Sequence, residues 1–426
     1  MAQQLLKVLI LGLLLSAVYA ANAHAVTFEV NVATDIEDIQ IGDTPNACDV
    51  SSVPGSQCTL RAALQESNAT SGNDRVTFDI PGDQVHSIAL ASALPLLHGR
   101  VLINGFSQPG ASPNTRPVGK PLDTDLRIEL DGGNLGAVNG FDVAAGGAGS
   151  TIRGLSIVNF GLTGVSAGTG AVRVEGNFLG TTPAGQQAGN EGGFQSFVES
   201  SEVSVIGGPD PGDSNLISGN AAEGIRASQG VRVTGNRITL NGGGNGGAGC
   251  RCGAITIYSH LAPDRVVGNA IQDNVYAGVM THAGNQPPHH LISRNIMSGN
   301  ELVTGVGIDL GGNGVTPNDI DESDFIQNFP ALSSAKRHGK KTNVSGLLRS
   351  SPKEKYRVEF FQADGETRQG RRFVGSEVVR TNSAGRASFD VSLGRPQRGK
   401  YLTATATRIS GGPDNTSEFS KPKEVK

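Results

Sequence analysis

Tryptophan is absent from the 426 residues, and charged side chains make up only 17 % of them. Both scarcities argue against a helical bundle. After the first 25 residues no stretch is apolar enough to span a bilayer, and no cysteine follows the early apolar run where a bacterial lipid anchor would need one. Nor is there a sign of an outer-membrane barrel or a sortase signal. The basic residues lack interleaved aromatics, which makes nucleic acid a poor partner. Two enzyme signatures are missing as well: paired aspartates with a Gly-His-Gly, and a cluster of aspartate ligands followed by a Lys or Arg base.

Glycine, in contrast, occurs 60 times, and much of it sits in a repeated phrase. The phrase reads Asn215-Leu-Ile-Ser-Gly-Asn220, Asn236-Arg-Ile-Thr-Leu-Asn241, Asn269-Ala-Ile-Gln-Asp-Asn274 and Asn295-Ile-Met-Ser-Gly-Asn300. Successive copies begin 21, 33 and 26 residues apart. Apolar residues alternate within them, so each unit is built of strands, and a unit repeated at this period is a solenoid. Asparagine tolerates the left-handed bend between strands, and identical side chains stacked about 4.8 Å apart hydrogen-bond into a ladder. The expected fold is all-β, a parallel β-helix. Thr151–Asn159 and Val172–Gly180 are looser copies, and about eight coils of roughly 22 residues are expected from Leu126 to Asp309.

The chain starts like an exported protein. Lys7, an apolar run from Val8 to Leu15, and the small residues Ala23 and Ala25 fit a signal peptide over residues 1–25, with cleavage after Ala25 or, alternatively, Ala20. The expected location is therefore outside the cytoplasm: secreted, periplasmic or surface-associated. In an oxidising compartment Cys48 and Cys58 pair as a disulfide that pins a loop; the alternative is a free thiol pair. Next comes a short amphipathic helix over Thr59–Asn68, with Leu60 and Leu64 on one face and Thr59 at its cap. A solenoid's open end must be covered, so this helix reads as an N-terminal cap.

These residues resemble a known family. Cys58-Thr-Leu-Arg61-Ala-Ala63-Leu-Gln-Glu-Ser-Asn68 is similar to the motif naming the CSLREA-domain proteins; Thr59, Ala62, Leu64 and Ser67 replace the family's usual Ser, Glu, Ile and Ala. The likeness continues in Val76–Gly82, Ile103–Asn114, Ile128–Asn134, Gly307–Asp319 and Gln327–Pro330. It implies secreted bacterial proteins with a right-handed parallel β-helix of the pectin-lyase-like kind, and an immunoglobulin-like C-terminal tail. The family mostly lacks an assigned activity. On this reading residues 26–125 are the cap and first coils, 126–330 the β-helix and 331–426 a small sandwich, whose strands are Tyr356–Phe361, Glu377–Thr381, Ala387–Leu393 and Tyr401–Thr407.

Charge divides at the same boundary. Residues 331–426 hold 20 Lys and Arg against 9 Asp and Glu, a net of +11; the rest of the chain keeps the other 15 basic and 30 acidic residues, a net of −15. Opposite charge suggests mutual docking, or a basic module tethered to an anionic surface such as an acidic glycan; solvated surface charge is the plainer account.

Interruptions of the coils hold the candidate site residues. Cys250 and Cys252 suit a metal with nearby histidines, or a strained local disulfide or two thiols. His282, His289 and His290 suit a general acid or base; Pro287 and Pro288 beside them suit a rigid exposed turn instead. Asp264 and Arg265 suit a carboxylate–cation pair acting on a uronic acid, or a turn with a surface ion pair. Asp309, Asp319, Asp321 and Asp324 offer oxygen ligands for Ca²⁺, or Asx turns leaving the last coil. The function expected is binding of extracellular or envelope polysaccharide, with a role in adhesion. The competing expectation is a polysaccharide lyase or glycoside hydrolase acting on an acidic glycan, and a purely structural matrix component is the third.

Overall fold

The computed structural model describes residues 25–42, 48–133, 135–197, 203–228, 230–243, 253–258, 264–282, 290–300, 306–319, 324–363, 365–394, 396, 398–410 and 414–426. The expected signal peptide, Cys250, Cys252, His289 and Asp321 lie outside the described residues.

Strands of successive coils stack in parallel into three sheets of nine (A), eight (B) and seven (C) strands. One coil runs Ser150–Arg153 in A, Ser156–Val158 in B and Thr163–Ala167 in C; the next adds Val172–Glu175, Phe178–Leu179 and Gly192–Ser196 in register. This is a parallel β-helix. Alternation puts every second side chain inside, where aliphatics stack by coil. Ile152, Val174, Ile206, Val233, Val266 and Ile292 form the column beneath sheet A. Ile157, Leu179, Ile217, Ile238, Ile271 and Met297 do the same beneath sheet B.

Coils are fewer than the expected eight. Sheet A strands start at Ser150, Val172, Ser204, Val231, Asp264 and His290, so six three-strand coils follow the strands at Ile128–Asp131 and Phe141–Val143. Only the first spacing is 22 residues; excursions between strands stretch the others.

The asparagines form two ladders rather than one. Asn177, Asn215, Asn236, Asn269 and Asn295 link side chain to side chain at 2.8–3.3 Å. Asn190, Asn220, Asn241, Asn274 and Asn300 do so at 2.9–3.2 Å. Each pair of the repeated phrase thus supplies one residue to each ladder. The left-handed residue is the one before the asparagine: Gly235, Gly268 and Arg294 precede members of the first ladder, and Gly219, Leu240, Asp273 and Gly299 members of the second. The asparagine itself keeps an ordinary φ, leaving its amide free to bond along the stack.

At the N-terminal end, helix α1 (Leu60–Ala69) covers the first coil, with the Thr59 hydroxyl accepting from the Ala62 N–H at 3.1 Å. Buried Arg61 clamps Asp35 through Nε and Nη2, both 2.8 Å, and donates to the carbonyls of Ser92 and Ala93. Cys48 and Cys58 form a disulfide.

Residues 331–426 form a three-stranded and a five-stranded antiparallel sheet that share one buried cluster. This module closes the other end of the β-helix and supplies an acceptor to each sheet's last strand. In sheet A, Glu359 accepts from the Ser293 hydroxyl at 2.7 Å and the Arg294 N–H at 3.0 Å, and the Thr416 hydroxyl accepts from the Ile292 N–H. In sheet B, the Gly370 carbonyl accepts from the Met297 N–H. In sheet C, Glu418 accepts from the N–H groups of Leu310 (3.0 Å) and Thr316 (2.8 Å). Burial pushes the Glu418 carboxyl up to about 8, against the pull of those two hydrogen bonds. Phe361 and Phe419 complete the apolar column, edge to face at 5.4 Å. Two acidic residues of a basic module thus face the coil end, which realises the docking that the charge division suggested.

Candidate anion-binding groove

On sheet A the strands Val231–Thr234 and Asp264–Val267 alternate buried and outward residues, which turns Arg232 and Arg265 to the outer face. The two stand opposite each other in register, and Leu291 follows in the next strand. Parallel pairing sets neighbouring positions about 4.8 Å apart. One residue beyond sheet A the chain bends at Arg294 (φ 55°). Arg357 arrives from the C-terminal module, on the strand Lys355–Ala363. These four arginines, with Thr234 and Ser293, line a groove of about 570 Å³ at the junction of β-helix and module.

Their charges are poorly matched. Arg265 lies 4.0 Å from Asp414, both partly exposed, a pairing worth about 0–1 kcal/mol. Arg294 sits over the Phe373 ring, 5.6 Å from its centroid, an arrangement that leaves the guanidinium edge available to an acceptor. Arg357 is 3.6 Å from Glu359, whose oxygens already serve Ser293 and Arg294. Four fixed cations against two carboxylates leave a positive surplus, and a bound anion would relieve it.

The residues singled out from sequence do not gather here. Asp264 points inward and is 1 % exposed, whereas its neighbour Arg265 points out, so the two never share a face. Asp264 has a structural partner on each side: its Oδ1 accepts from the Val231 N–H at 2.9 Å and its Oδ2 lies 3.2 Å from His290 Nδ1. Asp74, Ser150 and Ser204 act in the same way at the start of their strands, accepting from the N–H groups of Val26, Val101 and Val172. His290, expected in an exposed loop, is the buried first residue of the strand His290–Ser293. His282 follows a sheet C strand, its ring stacked on Tyr258 at 4.3 Å, with Arg226 4.9 Å from the Tyr258 centroid. Of the three catalytic candidates only Arg265 reaches the groove.

The calcium candidates are engaged by their own turns. Asp309 is fully buried and accepts from the N–H groups of Asn313 and Gly314. Asp324 accepts from the Ile326 N–H, and Asp319 pairs with Asn328. Among the described residues no three His, Cys, Asp or Glu side chains gather to hold a metal ion.

Sequence reasoning passed over Arg232, Arg294 and Arg357. The available signal was an arginine at the second place of a Val-Arg-Val or Asp-Arg-Val strand, but their alignment needs the register, and Arg232 and Arg265 are separated by an excursion of unpredictable length. No protein-family model matches the chain, and no curated protein matches it.

Proposed function

We propose that this protein binds an extended acidic polysaccharide, held along the outer face of sheet A by the arginine groove. The observation that carries this reading is the set of four arginines from two parts of the chain, spaced by the coil repeat and short of counter-charge. Rigid strands hold Arg232 and Arg265, so little side-chain stem entropy is lost on binding. A guanidinium fork suits the planar carboxylate of a uronic acid, and the coil spacing is similar to the length of one sugar unit. A polymer lying along the solenoid axis would therefore meet successive cations with successive carboxylates.

Binding fits the groove better than cleavage. Its ionisable lining residues are all arginines, which stay protonated and are poor proton acceptors. Export and a place at the cell envelope belong to this proposal; the disulfide suits an oxidising compartment, and among the described residues no helix is long and apolar enough to cross a membrane. The test is retention of the mature protein on immobilised polygalacturonate and on neutral dextran. Retention on the acidic polymer alone, weakening with added salt, supports the proposal. Equal retention on both, or release of unsaturated uronides, overturns it.

A further inference from the structure

The C-terminal module carries a second cationic concavity, apart from the groove. It encloses about 480 Å³ and is lined by Arg337, Lys340, Arg372 and Lys400 together with Gln362 and Pro396. Four different chain segments bring these cations together. Arg337 ends the strand Ala331–His338, Lys340 sits in the turn after it, Arg372 opens Arg372–Arg380, and Lys400 precedes Tyr401–Arg408. Convergence from four segments requires the folded module.

Part of the cavity is pre-organised. Arg337 Nη1 donates to the Pro396 carbonyl at 3.1 Å and to the Thr342 hydroxyl at 3.3 Å, and that hydroxyl donates to the same carbonyl at 2.6 Å. One edge of the Arg337 fork is thereby fixed. Gln362 stands beside Arg372 in register and adds an amide donor to the wall. No carboxylate is among the lining residues. The nearby acids Glu366 and Glu424 flank Tyr401 instead.

The shape differs from the groove in a way that selects a different anion. In the groove, cations follow one another along an axis; here they surround a point. Three or four donors converging on one centre suit a compact dianion with oxygens in several directions, whereas a carboxylate offers two oxygens in one plane. Lysine contributes as a mobile point charge and Arg337 as an oriented donor.

We infer that the cavity bounded by Arg337, Lys340, Arg372 and Lys400 is a binding site for a phosphate monoester. The site goes beyond the polysaccharide groove and does not depend on it. With both occupied, one molecule would bridge an acidic polymer and a phosphorylated surface.

The test uses the whole mature protein, two double variants and two probes. The probes are inorganic phosphate, followed by calorimetry, and phosphatidylcholine vesicles with or without phosphatidic acid, followed by co-sedimentation. The variants are Arg372→Gln with Lys400→Gln, in the cavity, and Arg232→Gln with Arg265→Gln, in the groove; thermal unfolding checks that both fold. The expected result is at least tenfold weaker phosphate or phosphatidic-acid binding in the cavity variant, unchanged binding in the groove variant, and polygalacturonate retention intact in the cavity variant. Binding of inorganic phosphate identifies a soluble phosphate as sufficient, and binding of phosphatidic-acid vesicles alone identifies a lipid-borne one; both support the site. No binding to either probe, or binding that survives in the cavity variant, overturns it and leaves the groove proposal untouched.

Discussion

The Gln369 side-chain oxygen accepts from both the backbone N–H and the side-chain amide of Asn300, each at 3.1 Å. Within the ladder the next coil's asparagine makes the same two contacts, as Asn300 does for Asn274. Gln369 therefore stands in for a coil that is not there, and returns a bond from its own amide to the Asn300 carbonyl at 3.2 Å. Replacing it with alanine leaves two buried donors without their acceptor, a cost of about 1–3 kcal/mol each when unrelieved. Denaturant unfolding of Gln369→Ala should show a lower midpoint with little change in slope. An unchanged midpoint would mean that the ladder end tolerates an open site.

Interior ladder positions should be costlier. Asn241 accepts from the Asn220 amide at 2.9 Å and donates to Asn274 at 3.0 Å and to the Ile217 carbonyl at 3.0 Å. Asn241→Ala strips all three from a buried turn, so the expected loss is about 2–4 kcal/mol, read as a fall in the thermal midpoint. A smaller loss than at Gln369 would contradict the view that the ladder is cooperative along its length.

The loop beneath the N-terminal cap depends on Cys48–Cys58, ten residues apart. A crosslink of this span contributes about 2–3 kcal/mol by restricting the unfolded chain. The variant with both cysteines changed to alanine should unfold at correspondingly lower denaturant, and added reductant should reproduce the shift in the native protein but not in the variant.

Glu418 gives stability a pH dependence with a definite sign. Its folded-state value is raised from 4.5 to about 8, mainly by burial, so between those limits the folded chain binds more protons than the unfolded one. Stability must then fall as pH rises through that window and level off above it. Glu418→Gln should flatten this component of the pH profile measured by chemical unfolding. A wild-type profile that rises steeply from pH 5 to 8, with no change in the variant, would contradict the assignment.

The solenoid was legible because its cause is local: alternating aliphatics and paired asparagines recur in the chain itself. Asn190 escaped notice because a hairpin closed by the Thr181–Gln187 bridge separates it from Asn177, where later pairs are five apart. The cap helix was legible for the same local reason, through Thr59, Leu60 and Leu64. The functional surface was not, since adjacency in sequence misleads on a strand. Asp264 and Arg265 are neighbours in the chain yet face core and solvent, while Arg265 meets Arg232 and Arg357 only through register and docking. The opposite charges of body and module anticipated the docking, but the acids that dock, Glu359 and Glu418, belong to the basic module.

The most direct test of the polysaccharide reading is the salt-dependent retention of the protein on polygalacturonate, compared with the variant carrying Arg232→Gln and Arg265→Gln. Both arginines are outward on sheet A, so the variant should fold with a thermal midpoint close to the parent's. The account predicts at least tenfold weaker retention at low salt, with the difference shrinking as ionic strength rises and screening shortens to about 8 Å at 0.15 M. Undiminished retention in the folded variant would contradict it, and would place any acidic-polymer site elsewhere on the molecule.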